Sequence, residues 1–138
     1  MGYAISSTCV KIPTTMTDGR TLDILVVEDN ADARATLQML LELEGHRVRT
    51  AESGAQGIER STAPLDAALI DIGLPDCDGY DVARRIRSTP HGKTAYLVAL
   101  TGYGQPDDRR RAEAAGFDTH IVKPVDPDAL VKMLARRG

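Results

Sequence analysis

Five short apolar runs alternate with segments of helical spacing along this chain, and that alternation leaves few folds open. Leu22 to Val27, Arg47 to Ala51, Ala67 to Ile70, Ala95 to Leu100 and Asp118 to Val122 read as strands, being short, largely apolar and bounded by turn formers. Between the first two, Asn30 can cap a helix that carries Ala33, Leu37, Leu40 and Leu41 and stops at Gly45. Ser53 can cap a weaker helix to about Ser61, where Gly54 and Gly57 lower the propensity. Tyr80 to Arg87 carries Val82 and Ile86 on one face. Gln105 to Ala115 offers only Ala112 and Ala115 inward, so its helix should pack loosely and be able to move. Asp126 caps a last helix with Pro127 at its first position and Leu130, Val131 and Leu134 inward. Strict alternation calls for a parallel sheet covered on both faces, because each right-handed crossover returns the chain to the same edge. The expected class is α/β: a doubly wound, five-stranded parallel sheet flanked by five helices.

The 138 residues suffice for one domain with its own core, expected over 22–138 after a tail or linker over 1–21 rich in Ser, Thr and Pro. A net charge of -3 gives no electrostatic footprint for direct nucleic-acid or anionic-membrane binding. Cys9 and Cys77 are far apart and lack any zinc or disulfide spacing. No apolar run approaches the roughly 20 residues of a membrane span, and none resembles a signal peptide, so a cytoplasmic location is expected.

Reactive side chains fall where the strands end. Glu28 and Asp29 follow the first run, Asp71 the third, Thr101 the fourth and Lys123 the fifth. In a parallel sheet these ends share one edge, where open α/β folds bind ligands. The second run ends in Thr50 and Ala51 with no comparable group, as an outer strand would. Three carboxylates drawn together repel one another, and a hard divalent cation such as Mg²⁺ relieves this; Mn²⁺ is the alternative. An ionised Asp71 can attack phosphorus without a general base. The cation and the Lys123 ammonium would neutralise charge on the phosphoryl oxygens, and the Thr101 hydroxyl would donate to one of them.

Glu28-Asp29, the run Asp71-Ile72-Gly73-Leu74-Pro75 with Asp78-Gly79, Thr101-Gly102 and Lys123-Pro124 together resemble the signature set of response-regulator receiver domains, over roughly Leu22 to Arg137. The resemblance implies a flavodoxin-like strand order, 2-1-3-4-5, and Asp71 as phosphoacceptor. It further implies Mg²⁺ held by Asp29, Asp71 and the carbonyl of Gly73, with Glu28 acting mainly through metal-bound water, and a cis bond before Pro124. Such a protein is a switch and not a metabolic enzyme, catalysing only its own phosphorylation and dephosphorylation. Its phosphoryl donor is a histidine kinase or phosphotransfer protein, and its output surface is formed by the fourth helix, fifth strand and fifth helix. The family's usual aromatic switch residue, three before the lysine, is here His120, which would act with Thr101. Gly73 and Gly102 leave the phosphoryl position open, which suggests a labile phosphoryl group.

Two rival readings are a phosphohydrolase with an aspartyl nucleophile, whose expected second acid is replaced by Gly73, and a receiver-like scaffold that takes no phosphate. His46 and His91 are expected at the surface, and Arg109-Arg110-Arg111 as a solvated helix face bordering the output surface. The chain runs only a few residues past the last helix, so output is expected through a partner or a domain outside it. The segments 98–104 and 120–124 resemble receivers attached to hybrid sensor kinases.

Overall fold

A computed structural model describes residues 21–102 and 109–135. The expected tail before Thr21 and the expected start of the fourth helix at Gln105 lie outside the described residues. Five strands, β1 (Asp23–Val27), β2 (Arg47–Ala51), β3 (Ala67–Asp71), β4 (Tyr96–Thr101) and β5 (Thr119–Val122), form one sheet in the order β2-β1-β3-β4-β5. All neighbours pair in parallel, with Val27 opposite both Ala51 and Ile70, Asp71 opposite Leu100 and Thr101 opposite Val122. That register lines up the strand ends, and it leaves β2 on an outer edge as its unreactive terminus suggests.

The helices are α1 (Ala31–Leu43), α2 (Gly54–Arg60), α3 (Gly79–Arg87), α4 (Arg109–Ala115) and α5 (Pro127–Ala135). Local chemistry sets their starts. Asn30 accepts from Ala33 N, Ser53 from Gln56 N and Asp78 from Tyr80 N, each satisfying a donor that a helix leaves unpaired. Gly45, at φ +92°, carries the chain out of α1 in the left-handed region that favours glycine.

Alternation along the strands divides the core. Leu25, Val27, Ala68, Ile70, Leu97 and Ala99 pack with Val82, Ile86 and Phe117, while Ile24, Val26, Leu69, Val98 and Leu100 pack with Leu37, Leu41, Leu130 and Leu134. Each such large side chain contributes about 1.5–3 kcal/mol by leaving water. Of the residues expected inward on the last helix, Leu130 and Leu134 are buried and Val131 only partly. The glycines that weakened the case for α2 have a packing reason. A Cβ at Gly57 would lie 2.8 Å from Val27 Cγ2, so the helix approaches β1 only because the side chain is missing.

His46 corrects an expectation. It is 6% exposed, not a surface residue, because it closes the turn between α1 and β2 and its Nδ1 accepts from Leu22 N at 3.1 Å. His91 is exposed as expected.

Candidate functional site

The sheet delivers the acids to one edge. Glu28 leaves β1 with its N–H bonded to Ala51 O at 3.0 Å, which fixes the first residue beyond the strand. Asp71 ends β3, flanked by Ile72 N bonded to Leu100 O at 3.2 Å. One carboxylate oxygen each from Glu28, Asp29 and Asp71 lies within 4.8 Å of the others. Glu28 and Asp71 are buried and Asp29 is exposed, so the cluster opens to water on the Asp29 side.

Lys123, one residue beyond β5, is the cation of this cluster. Its Nζ lies 2.8 Å from Glu28 Oε1 and 3.1 Å from Asp71 Oδ2, and its backbone N–H donates to Thr101 O at 2.7 Å. Burial alone would lower the ammonium's pKa, but the hydrogen bonds to Glu28 and Asp71 outweigh it and hold the value above that of an ordinary lysine. Burial pushes the Glu28 carboxyl up, against the opposing pull of Lys123 and the Asn30 N–H. The remaining Asp71 oxygen, Oδ1, accepts from Gly73 N at 2.8 Å, and Glu28 Oε2 accepts from Asn30 N at 3.1 Å. The Lys123-Pro124 bond is cis, as the resemblance implies.

Hard oxygen donors and charge balance both fit a divalent cation. Three carboxylates against one ammonium leave two negative charges that these side chains do not neutralise. Glu28, Asp29 and Asp71 are the side chains that would hold it.

Thr101 reaches the same edge at the end of β4, partly buried. His120 lies within β5 opposite Ala99, two positions before Val122, and lines an open cleft of about 300 Å³ with Ala112, Glu113, Phe117 and Asp118. It therefore sits on the α4 side of the sheet, between the strand edge and the helix.

Several residues around the site take roles that the motifs did not assign. Asp76, in the loop after Asp71, accepts from Gly54 N at 2.9 Å and Ala55 N at 3.1 Å, tying that loop to α2. Those N–H groups hold the Asp76 carboxyl below the usual carboxylate range. Asp78 both caps α3 and pairs with Arg111, whose guanidinium lies 4.2 Å above the Tyr80 ring. Arg111 is thus not merely a solvated face residue; it joins α4 to the start of α3. Arg34 donates to the carbonyls of Glu28 and Asp29. A cation in the first turn of a helix opposes the helix dipole, and that misfit was the readable sign of a specific task.

Among the described residues, no helix is long and apolar enough to cross a membrane. The chain matches the family model for the response regulator receiver domain over residues 24–135. It is 36% identical over 114 residues to an uncharacterized 14.6 kDa protein of Leptolyngbya boryana, covering 82% of this chain and 87% of that protein. It is 38% identical to the transcriptional regulatory protein ResD of Bacillus subtilis over 83% of this chain, which spans only 48% of ResD. The crystal structure of the receiver domain of the sensor histidine kinase PA1611 from Pseudomonas aeruginosa, with magnesium coordinated in its active-site cleft, superposes with a TM-score of 0.77. That comparison has 31% identity and covers 86% of this chain and 98% of the other.

Proposed function

Because the chain belongs to the response regulator receiver family, a family of two-component signalling, we propose that Asp71 takes a phosphoryl group from a phosphohistidine protein and that the charge so gained switches a partner-binding surface. The observation that carries this reading is the pair of bonds from Lys123 to Glu28 and Asp71, which places a cation against the phosphoacceptor carboxylate.

An Asp71 oxygen forms the new bond to phosphorus, and the electron pair of the broken phosphorus–nitrogen bond leaves with the donor imidazole. No proton need be removed from the nucleophile. Gly73 N–H holds Asp71 Oδ1 in place, so the carboxylate meets the phosphoryl group in a fixed orientation. Lys123 is positioned to neutralise the incoming oxygens, and Thr101 to donate its hydroxyl to one of them. Mg²⁺ held by Glu28, Asp29, Asp71 and the Gly73 carbonyl supplies further charge neutralisation when bound; the PA1611 receiver, which holds magnesium in its active-site cleft, supports that choice. Mn²⁺, with the same preference for oxygen, is the alternative.

The donor is a histidine kinase or phosphotransfer protein in the cytoplasm, as expected for a relative of a sensor-kinase receiver. Output runs through α4, β5 and α5, where Thr101 and His120 would change together. The receiver unit spans 22–138. Incubation with acetyl phosphate and Mg²⁺ should give an acid-stable, base-labile phosphoprotein that a chelator prevents. An Asp71→Asn variant labelled to the same extent as wild type would overturn the proposal.

A further inference from the structure

Arg34 occupies the first turn of α1, with its N–H bonded to Asn30 O at 2.9 Å. A positive charge there opposes the helix dipole, which favours an acid or a neutral residue. Its side chain does not extend into water to escape that cost. It is only 20% exposed and folds back across the turn between β1 and α1, where Nη1 lies 3.0 Å from Glu28 O and 3.3 Å from Asp29 O. Among the described residues its ion-pair partner is Glu52, 3.9 Å from Nη2 and 65% exposed, too loose and too wet to explain the placement.

The two carbonyls Arg34 holds belong to the two residues that give the cluster its first pair of carboxylates. Each carbonyl lies one Cα–C bond from its own residue's side chain, so holding both oxygens restricts the ψ torsions of Glu28 and Asp29 and with them the freedom of their carboxylates to move apart. We propose that Arg34 is a positioning residue for the divalent cation, setting the mutual placement of the Glu28 and Asp29 carboxylates through their own backbone. The inference rests on the reading of Glu28, Asp29 and Asp71 as the cation site.

Two effects of removing Arg34 have opposite sign, which makes the role testable. Loss of a positive charge makes the acidic cluster more negative and should tighten cation binding. Loss of the carbonyl tether should loosen it, as mutation of groups that orient metal ligands does by about 10–100-fold. The positioning account requires the second to win.

Mg²⁺ binding would be measured by calorimetric titration of wild type, Arg34→Gln, Arg34→Lys, Glu52→Gln and Asp29→Asn, with far-UV circular dichroism and thermal melts to confirm the fold of each. Arg34→Gln should bind Mg²⁺ about tenfold more weakly, and Glu52→Gln as wild type does. Arg34→Lys, which keeps the charge on a shorter side chain, should fall between Arg34→Gln and wild type and carries the test should Arg34→Gln fail to fold. Tight wild-type binding that the folded Arg34 variants leave unchanged or strengthen would overturn the role of Arg34 alone. A wild type that takes up no Mg²⁺, or an Asp29→Asn variant that binds equally well, would overturn the cation site and the role of Arg34 with it.

Discussion

The ammonium of Lys123 sits 2.8 Å from Glu28 Oε1 across 95 residues of chain, joining the exit of β5 to the exit of β1. Glu28 has no exposure to water at all, and the Lys123 ammonium is the charge that directly offsets its own. Without that contact the buried carboxylate would keep only the Asn30 N–H against the neighbouring Asp71.

Removal of this ammonium should therefore have two separable effects. Lys123→Ala is expected to lower stability by about 2 kcal/mol, less than for a fully enclosed pair because the lysine is itself 27% exposed. Mg²⁺ should reduce that loss and bind several-fold more tightly, since a competing cation is gone. Denaturant unfolding with and without Mg²⁺ measures both; a loss that Mg²⁺ leaves untouched would separate Lys123 from the cation site.

The close approach of α2 to β1 depends on a missing side chain. Gly57→Ala would gain up to about 1 kcal/mol of helix propensity but must push Val27 aside, at about 1–3 kcal/mol. Net destabilisation is expected. Gly79→Ala should cost more, because its Cβ would lie 2.5 Å from the Asp71 carbonyl oxygen, and backbone cannot rotate away as a side chain can. Urea midpoints rank the two variants, and a neutral Gly79→Ala would contradict the packing account.

His46 holds the start of β1 through its ring. His46→Leu leaves the Leu22 N–H unbonded in a buried site and should cost about 1–3 kcal/mol. His46→Asn, whose side-chain oxygen can take the place of Nδ1, should recover part of it. Equal stability of the two variants would mean that ring volume, and not the hydrogen bond, is what matters.

Acid should weaken the β1–β2 edge through Asp23. The guanidinium of Arg47, bonded to Asp23 Oδ1 at 2.8 Å, holds that carboxyl below its ordinary value. The native state therefore releases this proton more readily than the unfolded chain. The resulting stability is present above about pH 4 and is lost as pH falls through the depressed native pKa. Asp23→Asn should flatten the stability profile in that acid range, and salt should shrink the difference because Arg47 is 68% exposed. Parallel profiles for variant and wild type would show that the pair contributes nothing.

The strands were legible because a buried parallel sheet needs short branched runs, and the acids, Thr101 and Lys123 because each follows one. Their convergence depended on strand order, which only the receiver resemblance supplied. The tethers were mostly not legible. Asp76 accepts from backbone N–H groups of another helix and Arg111 reaches Asp78 from 33 residues away, and a side chain with so remote a partner has no periodicity to betray it; Arg34 alone left a sign, a cation in the first turn of a helix. His46 was misplaced for a similar reason: its partner, Leu22 N, lies 24 residues away, and nothing local distinguishes a buried turn histidine from an exposed one.

Asp71 carries the proposed chemistry. Peptide mapping by tandem mass spectrometry, after reaction with acetyl phosphate and Mg²⁺ and borohydride reduction, which turns an aspartyl phosphate into homoserine with loss of phosphate, should find homoserine at Asp71 and none when Mg²⁺ is chelated. A phosphoryl group found on another residue, or no modification of Asp71 under conditions where Mg²⁺ is bound, would contradict it.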